Sequence, residues 1–599
     1  MRNTDTILAI HRKRGAVGLP LERVYKHLFN PELFLRAYGR IYRNAGATTK
    51  GATEETVDGM SLREVDRIID LLRQERYRWT PVRRTEIPKA NGRMRPLGIP
   101  TWGDKLVQEA LRILLEPYYK QKFSDRSHGF RSGRGCHSAL RQIRGKWTGT
   151  VWFIEGDVKG CFDNIDHGVL LEIIRRDIRD GRLVRLIDGL LRAGYMEGWR
   201  YYDSLGGTPQ GGVISPLLAN VYLNDLDTFV EGTLVPAYTR GAKRRRNPEY
   251  TRYTTMLAAA RRREDSHEAQ RLKRELRKLA SVAPRDPDYR RLRYIRYADD
   301  FLLGFIGPKR EAEAIRQRLG EFLEQRLKLA LSVEKTLITH ATDDKAKFLG
   351  YEVTVTREET LVSANGRRAT NGNIALLMPQ EVVRQYLRRF SRRGKVVHRA
   401  ELTPETDYTI IQRYQAILRG VYNFYCMAVN VGNNQRMGYI RWILETSLTK
   451  TLAHKLRCKV SEVYRKYQVT VLGRKALRVL IERPGQEPLA AVFGGIPFER
   501  VPGGMGIIDF TFNKAWFRPG ARRSEVVQRL LAGKCELCGA EEADLEAHHI
   551  RKLADIDRPG RRPKAPWERI MAARKRKSLV VCRDCHEAVH SGRYDGPEL

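Results

Sequence analysis

Two adjacent aspartates, Asp299 and Asp300, lie between two apolar runs, Leu292 to Tyr297 and Phe301 to Phe305. Runs of this length and composition read as buried strands, and Tyr297-Ala298-Asp299-Asp300 is short enough for a hairpin turn between them. Asp is an ordinary turn residue, so the pair alone decides little. A third carboxylate decides it: Val151-Trp152-Phe153-Ile154 is another apolar strand, and it runs through Glu155 and Gly156 into Asp157. Three carboxylates can then converge at the end of one sheet. Nucleotidyl transfer needs such a cluster, because two divalent ions about 4 Å apart activate a 3′-hydroxyl and stabilise the leaving pyrophosphate, and hard cations take oxygen ligands. Asp157, Asp299 and Asp300 are read as ligands of two Mg2+ ions.

A second constellation lies near the C-terminus. Of eight cysteines, Cys136, Cys161, Cys426 and Cys458 are scattered, whereas Cys535, Cys538, Cys582 and Cys585 form two Cys-x-x-Cys pairs. In a reducing compartment such pairs point to one tetrahedral structural Zn2+ and not to disulfides. Histidines are interleaved with them: His548 and His549 between the pairs, His586 directly after Cys585, and His590 one helical turn later on the same face. Four thiolates saturate one zinc, so the histidines call for another purpose.

The elements that position these groups belong to a large basic chain. Its 599 residues carry 110 Lys and Arg against 70 Asp and Glu, a formal charge of +40, with 42% hydrophobic residues. At roughly 150 residues per domain this suggests about four domains with ample cores. The surplus calls for a polyanion, bound with a steep salt dependence through counterion release. It is uneven: Lys243 to Arg296 holds 18 Lys and Arg against 7 Asp and Glu, although alternating signs over Arg261 to Lys278 also suit a solvated helical face. No apolar run approaches a membrane span and the N-terminus offers no signal peptide, so no membrane is expected and a cytoplasmic, nucleoid-associated location in a bacterium is. There are no internal repeats and no long low-complexity tract.

The motifs around the aspartates resemble a reverse transcriptase, and in the family's order. Ile87-Pro88-Lys89-Ala90-Asn91-Gly92-Arg93-Met94-Arg95-Pro96-Leu97-Gly98-Ile99-Pro100 looks like the fingers hairpin, in which the resemblance implies that Lys89 and Arg95 grip the incoming triphosphate, one as a point charge and the other as a bidentate fork. His128-Gly129-Phe130-Arg131-Ser132-Gly133-Arg134 resembles the next block, a loop suited to a nucleic-acid backbone. Phe162 stands where such polymerases place a bulky side chain to reject ribonucleotides, which implies a DNA product made from dNTPs. Gln210 and Gly211, in Thr208-Pro209-Gln210-Gly211-Gly212, would lie by the templating pair. Ser215 and Pro216 read as the N-cap and first-turn proline of a helix through Leu226. Lys335, in Leu331-Ser332-Val333-Glu334-Lys335, and Lys347-Phe348-Leu349-Gly350-Tyr351 complete the set. Singly, each has a bland reading as a solvated charge, core residue or plain turn; their order does not.

The C-terminal pattern resembles an HNH endonuclease, a ββα fold in which His549 would deprotonate the attacking water while His548, His586 and His590 hold one Mg2+ or Mn2+ on the scissile phosphate. It departs from that family at the middle Asn, where the chain offers Ser578 at best; a purely structural zinc module is the alternative. Between the two, Arg413-Tyr414, Leu418, Val421-Tyr422 and Tyr425, and then Trp442, Leu444, Leu448 and Leu452, recur at helical spacing and predict amphipathic helices. Leu418-Arg419-Gly420-Val421-Tyr422-Asn423-Phe424-Tyr425 and Ser447 to Lys455 also resemble the maturase domain of group II intron-encoded proteins.

The resemblance spans the chain, since Asn30-Pro31-Glu32-Leu33-Phe34 looks like that family's N-terminal extension. It implies an α/β multidomain protein: an extension over 1–80, right-hand polymerase fingers and palm over 81–365, a helical thumb and maturase domain over 366–482, a DNA-binding segment over 483–530, and a zinc-containing HNH domain over 531–599. Turn-rich breaks at Arg483-Pro484-Gly485 and Arg518-Pro519-Gly520 suggest the later boundaries. Expected partners are intron RNA, with which it forms a ribonucleoprotein, and a target DNA whose nicked strand primes copying of the RNA. An RNA-binding splicing factor with weak or absent nuclease activity is the alternative; a reverse transcriptase of another lineage is a further rival.

Overall fold

The computed structural model describes residues 3–44, 46–88, 92, 94–198, 200–202, 206–207, 211–283, 286–332, 334–357, 372–483, 485–505, 524–541, 544–551, 564–574 and 576–594. At its centre is an antiparallel four-stranded sheet, ordered Ile338–His340, Trp152–Asp157, Asp300–Ile306, Arg291–Tyr297. Its strands are apolar on both faces because the sheet separates two cores. Successive side chains point to opposite faces, so Phe301, Leu303 and Phe305 enter one core while Leu302, Ile295 and Phe153 enter the other.

The first core gathers the N-terminal helices Thr4–Ala16 and Pro31–Ile41, the long helix Trp102–Lys122, the helices His167–Asp177, Gly181–Leu191, Ser215–Phe229 and Lys309–Leu327, and apolar residues of the C-terminal segment including Val526, Leu530, Ala547 and Val580. The second is built from the helix Cys136–Lys146, the sheet Ala346–Phe348, Tyr351–Thr356 and Asn373–Leu377, and the helices Gln380–Phe390, Asp407–Tyr425, Arg436–Leu456 and Val460–Tyr467. A hairpin of Val82–Pro88 and Met94–Ile99 extends from the first core and joins Tyr195–Glu197 and Arg200–Tyr202 in a second four-stranded sheet.

Several expectations change in three dimensions. Ser215 is inside its helix and buried, not the N-cap; Ile214 caps it without a side-chain bond, and the free N–H groups of Val213 and Ile214 donate instead to Gln108 Oε1, at 2.8 and 3.5 Å. Leu444, Leu448 and Leu452 are buried as expected, but Trp442 points to solvent, stacked on exposed Tyr439 with centroids 5.4 Å apart. The basic stretch holds two helices, Pro248–Arg262 and Ser266–Lys278, with a small core of Leu257, Ala260 and Leu272; Asp265 caps the second by accepting from Glu268 N. Arg474–Arg483 pairs with Gln486–Gly494 through Arg483 and Gln486, and this hairpin carries Leu477, Ala491 and Phe493 into the second core. The break at Arg518-Pro519-Gly520 lies outside the described residues. Among the described residues no helix is long and apolar enough to cross a membrane.

Candidate active sites

Asp157 ends its strand directly opposite Asp300 in the antiparallel register, and Asp299 precedes Asp300 in the turn from Tyr297. The three predicted carboxylates therefore meet at one sheet end. The turn is tight enough that Ala298 adopts φ +55°, uncommon for a residue with a side chain. Gly156 faces Phe301 across the register, where a Cβ would lie 2.0 Å from the ring. Glu155, two residues earlier on the same strand, accepts from Lys347 N at 2.8 Å and from the Thr339 hydroxyl, and takes no part in the cluster.

Burial raises the Asp299 carboxyl above its ordinary range, and the nearby Asp157 adds to this. Burial, then the Asp157 carboxyl alongside and the charge of Asp299, raise Asp300 as well. Mutually repelling oxygen donors of this kind fit hard divalent cations, which would hold all three ionised. Lys335 supplies a local counter-charge, its Nζ 2.7 Å from Asp157 Oδ2.

What fixes the turn is a residue that in the sequence is one charge among the basic surplus. Arg296 is fully buried and uses every N–H it has: Nε and Nη2 fork onto Asp227 at 2.8 and 2.6 Å, Nη2 also reaches Ser127 Oγ at 3.0 Å, and Nη1 donates to Asn220 Oδ1 at 3.1 Å and to Ala298 O at 2.8 Å. Tyr294 donates to the same Asp227 at 2.8 Å. The signal was an Arg two residues before Ala298 in an apolar strand and an Asp in an apolar helix. The loop from His128 supports the turn from the other side. His128 N donates to Arg296 O, and a Cβ on Gly129 would lie 2.4 Å from Ala298 N. Arg131, in the loop expected to face a nucleic-acid backbone, is buried and donates to the carbonyls of Ser124 and Ser127; Arg134 pairs with Asp125.

Phe162 is half-buried four residues beyond Val158 and meets Phe130 edge-on, centroids 6.0 Å apart. Arg95, on the strand Met94–Ile99, is exposed and close enough for its charge to act on Asp299. Gly211, at φ +111°, lies where a Cβ would meet Gly98 O at 2.4 Å, which requires glycine and ties this turn to the same hairpin. Lys89 and Gln210 lie outside the described residues.

The C-terminal histidines lie on the strand Leu545–His549 and the helix Arg583–Ser591, which with the strand Ser578–Cys582 form a ββα unit. His548, His586 and His590 come together, and they are joined by a residue from the other end of the chain, Asp58. Asp58 Oδ1 is 3.2 Å from His548 Nδ1 and 3.3 Å from His586 Nε2; Asp58 Oδ2 is 2.7 Å from His590 Nε2, and the two Nε2 atoms are 3.1 Å apart. A tetrahedron of ligands about 2.0 Å from a cation has edges of about 3.3 Å, so this donor set fits one. Buried His548 makes no aligned hydrogen bond through either ring nitrogen, which suits a ligating imidazole. His586 Nδ1 is held by Glu546 Oε2 at 2.5 Å, the carboxylate support typical of ligating histidines. Burial alone would lower the His586 pKa, but Asp58 and Glu546 outweigh it and push it up to about 9.

His549 stands apart from the four ligands. Its Nε2 is 2.8 Å from the hydroxyl of buried Tyr38, its backbone N–H donates to Asp58 Oδ1 at 2.7 Å, and burial lowers its pKa to about 3, leaving the imidazole neutral. Ser578 faces it in register and accepts from Arg529 Nη2 at 2.9 Å.

Three family profiles match along the chain: reverse transcriptase (RNA-dependent DNA polymerase) over residues 87–253, type II intron maturase over 377–482, and AI2M/AI1M-like HNH endonuclease over 535–586. The group II intron-encoded protein LtrA of Lactococcus lactis subsp. cremoris is 37% identical over 598 residues, which cover 95% of each chain. The chain belongs to the group II intron-encoded proteins. An uncharacterized 91 kDa protein in the cob intron of Schizosaccharomyces pombe is 32% identical over 97% of this chain and 71% of its own. Nuclear intron maturase 2, mitochondrial, of Arabidopsis thaliana is 25% identical over 64% of this chain and 56% of its own. The protein is thus a group II intron reverse transcriptase and maturase with an HNH endonuclease domain.

In this intron-encoded protein the four cysteines also converge. Their Sγ atoms lie within 4.8 Å of one another, and Cys538 and Cys582 are 3.7 Å apart, close to the edge of about 3.8 Å for a tetrahedron with 2.3 Å Zn–S bonds. They join the strand Ser578–Cys582, the helix after it and the loop from Cys535. Cys582→Ser is expected to lose one equivalent of zinc per chain and to loosen this region; metal analysis of the purified variant checks it, and unchanged zinc refutes the four-thiolate site.

Proposed function

We propose that the protein binds its intron RNA, assists splicing, and remains bound at a DNA target where it nicks one strand and copies the RNA from the new 3′-hydroxyl. In this reading the central sheet is the palm, the hairpin Val82–Pro88 and Met94–Ile99 the fingers, and the helices of the second core the thumb and RNA-binding surface. The observation that carries it is the meeting of Asp157, Asp299 and Asp300 at one sheet end, in a chain that also holds a histidine cluster suited to a cation.

Asp157, Asp299 and Asp300 would hold two Mg2+ ions, which supply charge neutralisation and a more acidic 3′-hydroxyl when bound. The chain's own residues do the rest. Lys89 and Arg95 hold the triphosphate, Gly211 with Gln210 lies against the templating pair, Phe162 excludes the ribose 2′-hydroxyl, and Lys335 orients Asp157. In the nuclease, His548, His586 and His590 would hold Mg2+ or Mn2+, and His549, placed by Tyr38, takes the proton of the attacking water. The four thiolates hold structural Zn2+.

The test is primer extension by the purified chain on an RNA template with a DNA primer and Mg2+, repeated with its intron RNA bound. Synthesis that EDTA stops and Mg2+ restores supports the reading; RNA binding with no synthesis in either state moves it to a splicing factor. His549→Ala is expected to stop DNA nicking by more than about a hundredfold, the scale of a general base, while extension of a supplied primer persists. Continued nicking removes His549 as the base.

A further inference from the structure

We propose that Asp58 is a fourth, releasable ligand of the nuclease cation, and that it holds the nuclease closed until DNA takes its place. The inference rests on reading the ββα unit as a cation-dependent nuclease. Three imidazoles and one carboxylate supply four donors, the number a tetrahedral site takes. A catalytic cation site keeps one corner for water or substrate, and here Asp58 fills that corner with a carboxylate, the same anionic oxygen chemistry as a scissile phosphate.

The residue is delivered from nearly 500 positions away in the chain, by a turn built for the purpose. Gly59 adopts φ +83°, a conformation that disfavours any side chain, and the Asp58 N–H donates to Thr56 Oγ1 at 3.2 Å. Met60–Ser61 then pairs antiparallel with the nuclease strand through two residues, Met60 to Ala547 and Ser61 to Glu546, and Gly59 N donates to Ala547 O at 3.1 Å. The pairing is two residues long, but Met60 is buried in the core that joins the N-terminal helices to the ββα unit, so what gives way is the Asp58 side chain and not the strand. The ion pair of Arg63 with Asp544 guards the same junction. An exchange of carboxylate for phosphate would link cutting to correct DNA engagement, so that a nuclease carried on a chain with +40 charge does not cut every duplex it touches.

The experiment uses the full-length chain with its cysteine site filled by Zn2+, titrated with Co2+ and followed by visible absorption, and then assayed for nicking of duplex DNA without RNA. Asp58→Ala is compared with wild type, with the near-isosteric Asp58→Asn as the control for folding. The expected result is an intense four-coordinate Co2+ spectrum in wild type, at least tenfold weaker Co2+ binding with a fainter spectrum in both variants, and at least tenfold faster nicking by the variants at saturating cation. Identical spectra and affinities overturn the ligand. Altered spectra with nicking lowered to the level of His549→Ala overturn the closure and make Asp58 a permanent part of the machinery. A spectrum that depends on Asp58 with no nicking by any of the proteins removes the nuclease reading itself, and the closure with it.

Discussion

Asp299→Asn is expected to abolish DNA synthesis without lowering stability. A carboxylate that anchors a catalytic cation contributes several kcal/mol of transition-state stabilisation, and the loss of about 4 kcal/mol slows the reaction on the order of a thousandfold. Stability moves the other way, because Asp299 is desolvated and repelled by Asp157, which raises its pKa. An amide of the same shape relieves that repulsion. The expected result is therefore extension below one part in a thousand of wild type, with an unfolding midpoint equal to or above it and RNA binding unchanged. Splicing assistance falling as far as synthesis would show that the site or the fold has been misassigned.

Arg296→Met is expected to fail in both respects. It strips the partner from Asp227, which is 1% exposed, and breaking a buried pair in this way costs about 3–5 kcal/mol. It also removes the donor to Ala298 O that steadies the Asp-Asp turn. Arg296→Lys does not rescue it, since three donors on a flexible stem cannot replace a planar fork with five. The double variant Arg296→Met, Asp227→Asn removes both charges and separates the two effects: denaturant unfolding recovers much of the lost stability, while synthesis stays low because the turn remains unsupported. Recovery of full synthesis in the double variant would show that the contact to Ala298 is dispensable.

The contrast between these variants follows from what each residue's chemistry reveals to a reader of sequence. Asp157, Asp299 and Asp300 were legible because each follows an apolar strand and because metal chemistry needs oxygen donors gathered in number. Arg296 was equally conspicuous as a charge in an apolar run, yet nothing in the pattern named Asp227, 69 residues earlier, as its partner. The same holds for the loop around Gly129 and Arg131. Its Gly and Arg content suited a phosphate backbone, but buried arginines are held by carbonyls, and the carbonyls are visible only once the chain has turned. Trp442 shows the converse: helical spacing puts it near the buried stripe, and the packing of neighbouring helices leaves it outside.

By itself, the sequence determined the groups available for chemistry: three carboxylates at the ends of apolar strands, two Cys-x-x-Cys pairs, a histidine set partly at helical spacing, and a charge that calls for a polyanion. Local rules suffice for these, since period-two and period-3.6 patterns and ligand spacings act over a few residues. Only the tertiary structure decided which distant segments meet. The nuclease packs on the N-terminal helices through one continuous core, Tyr38 meets His549, and Asp58 enters the histidine cluster. These contacts arise from the burial of apolar faces, which is non-directional and indifferent to separation along the chain, so no spacing in the sequence records them.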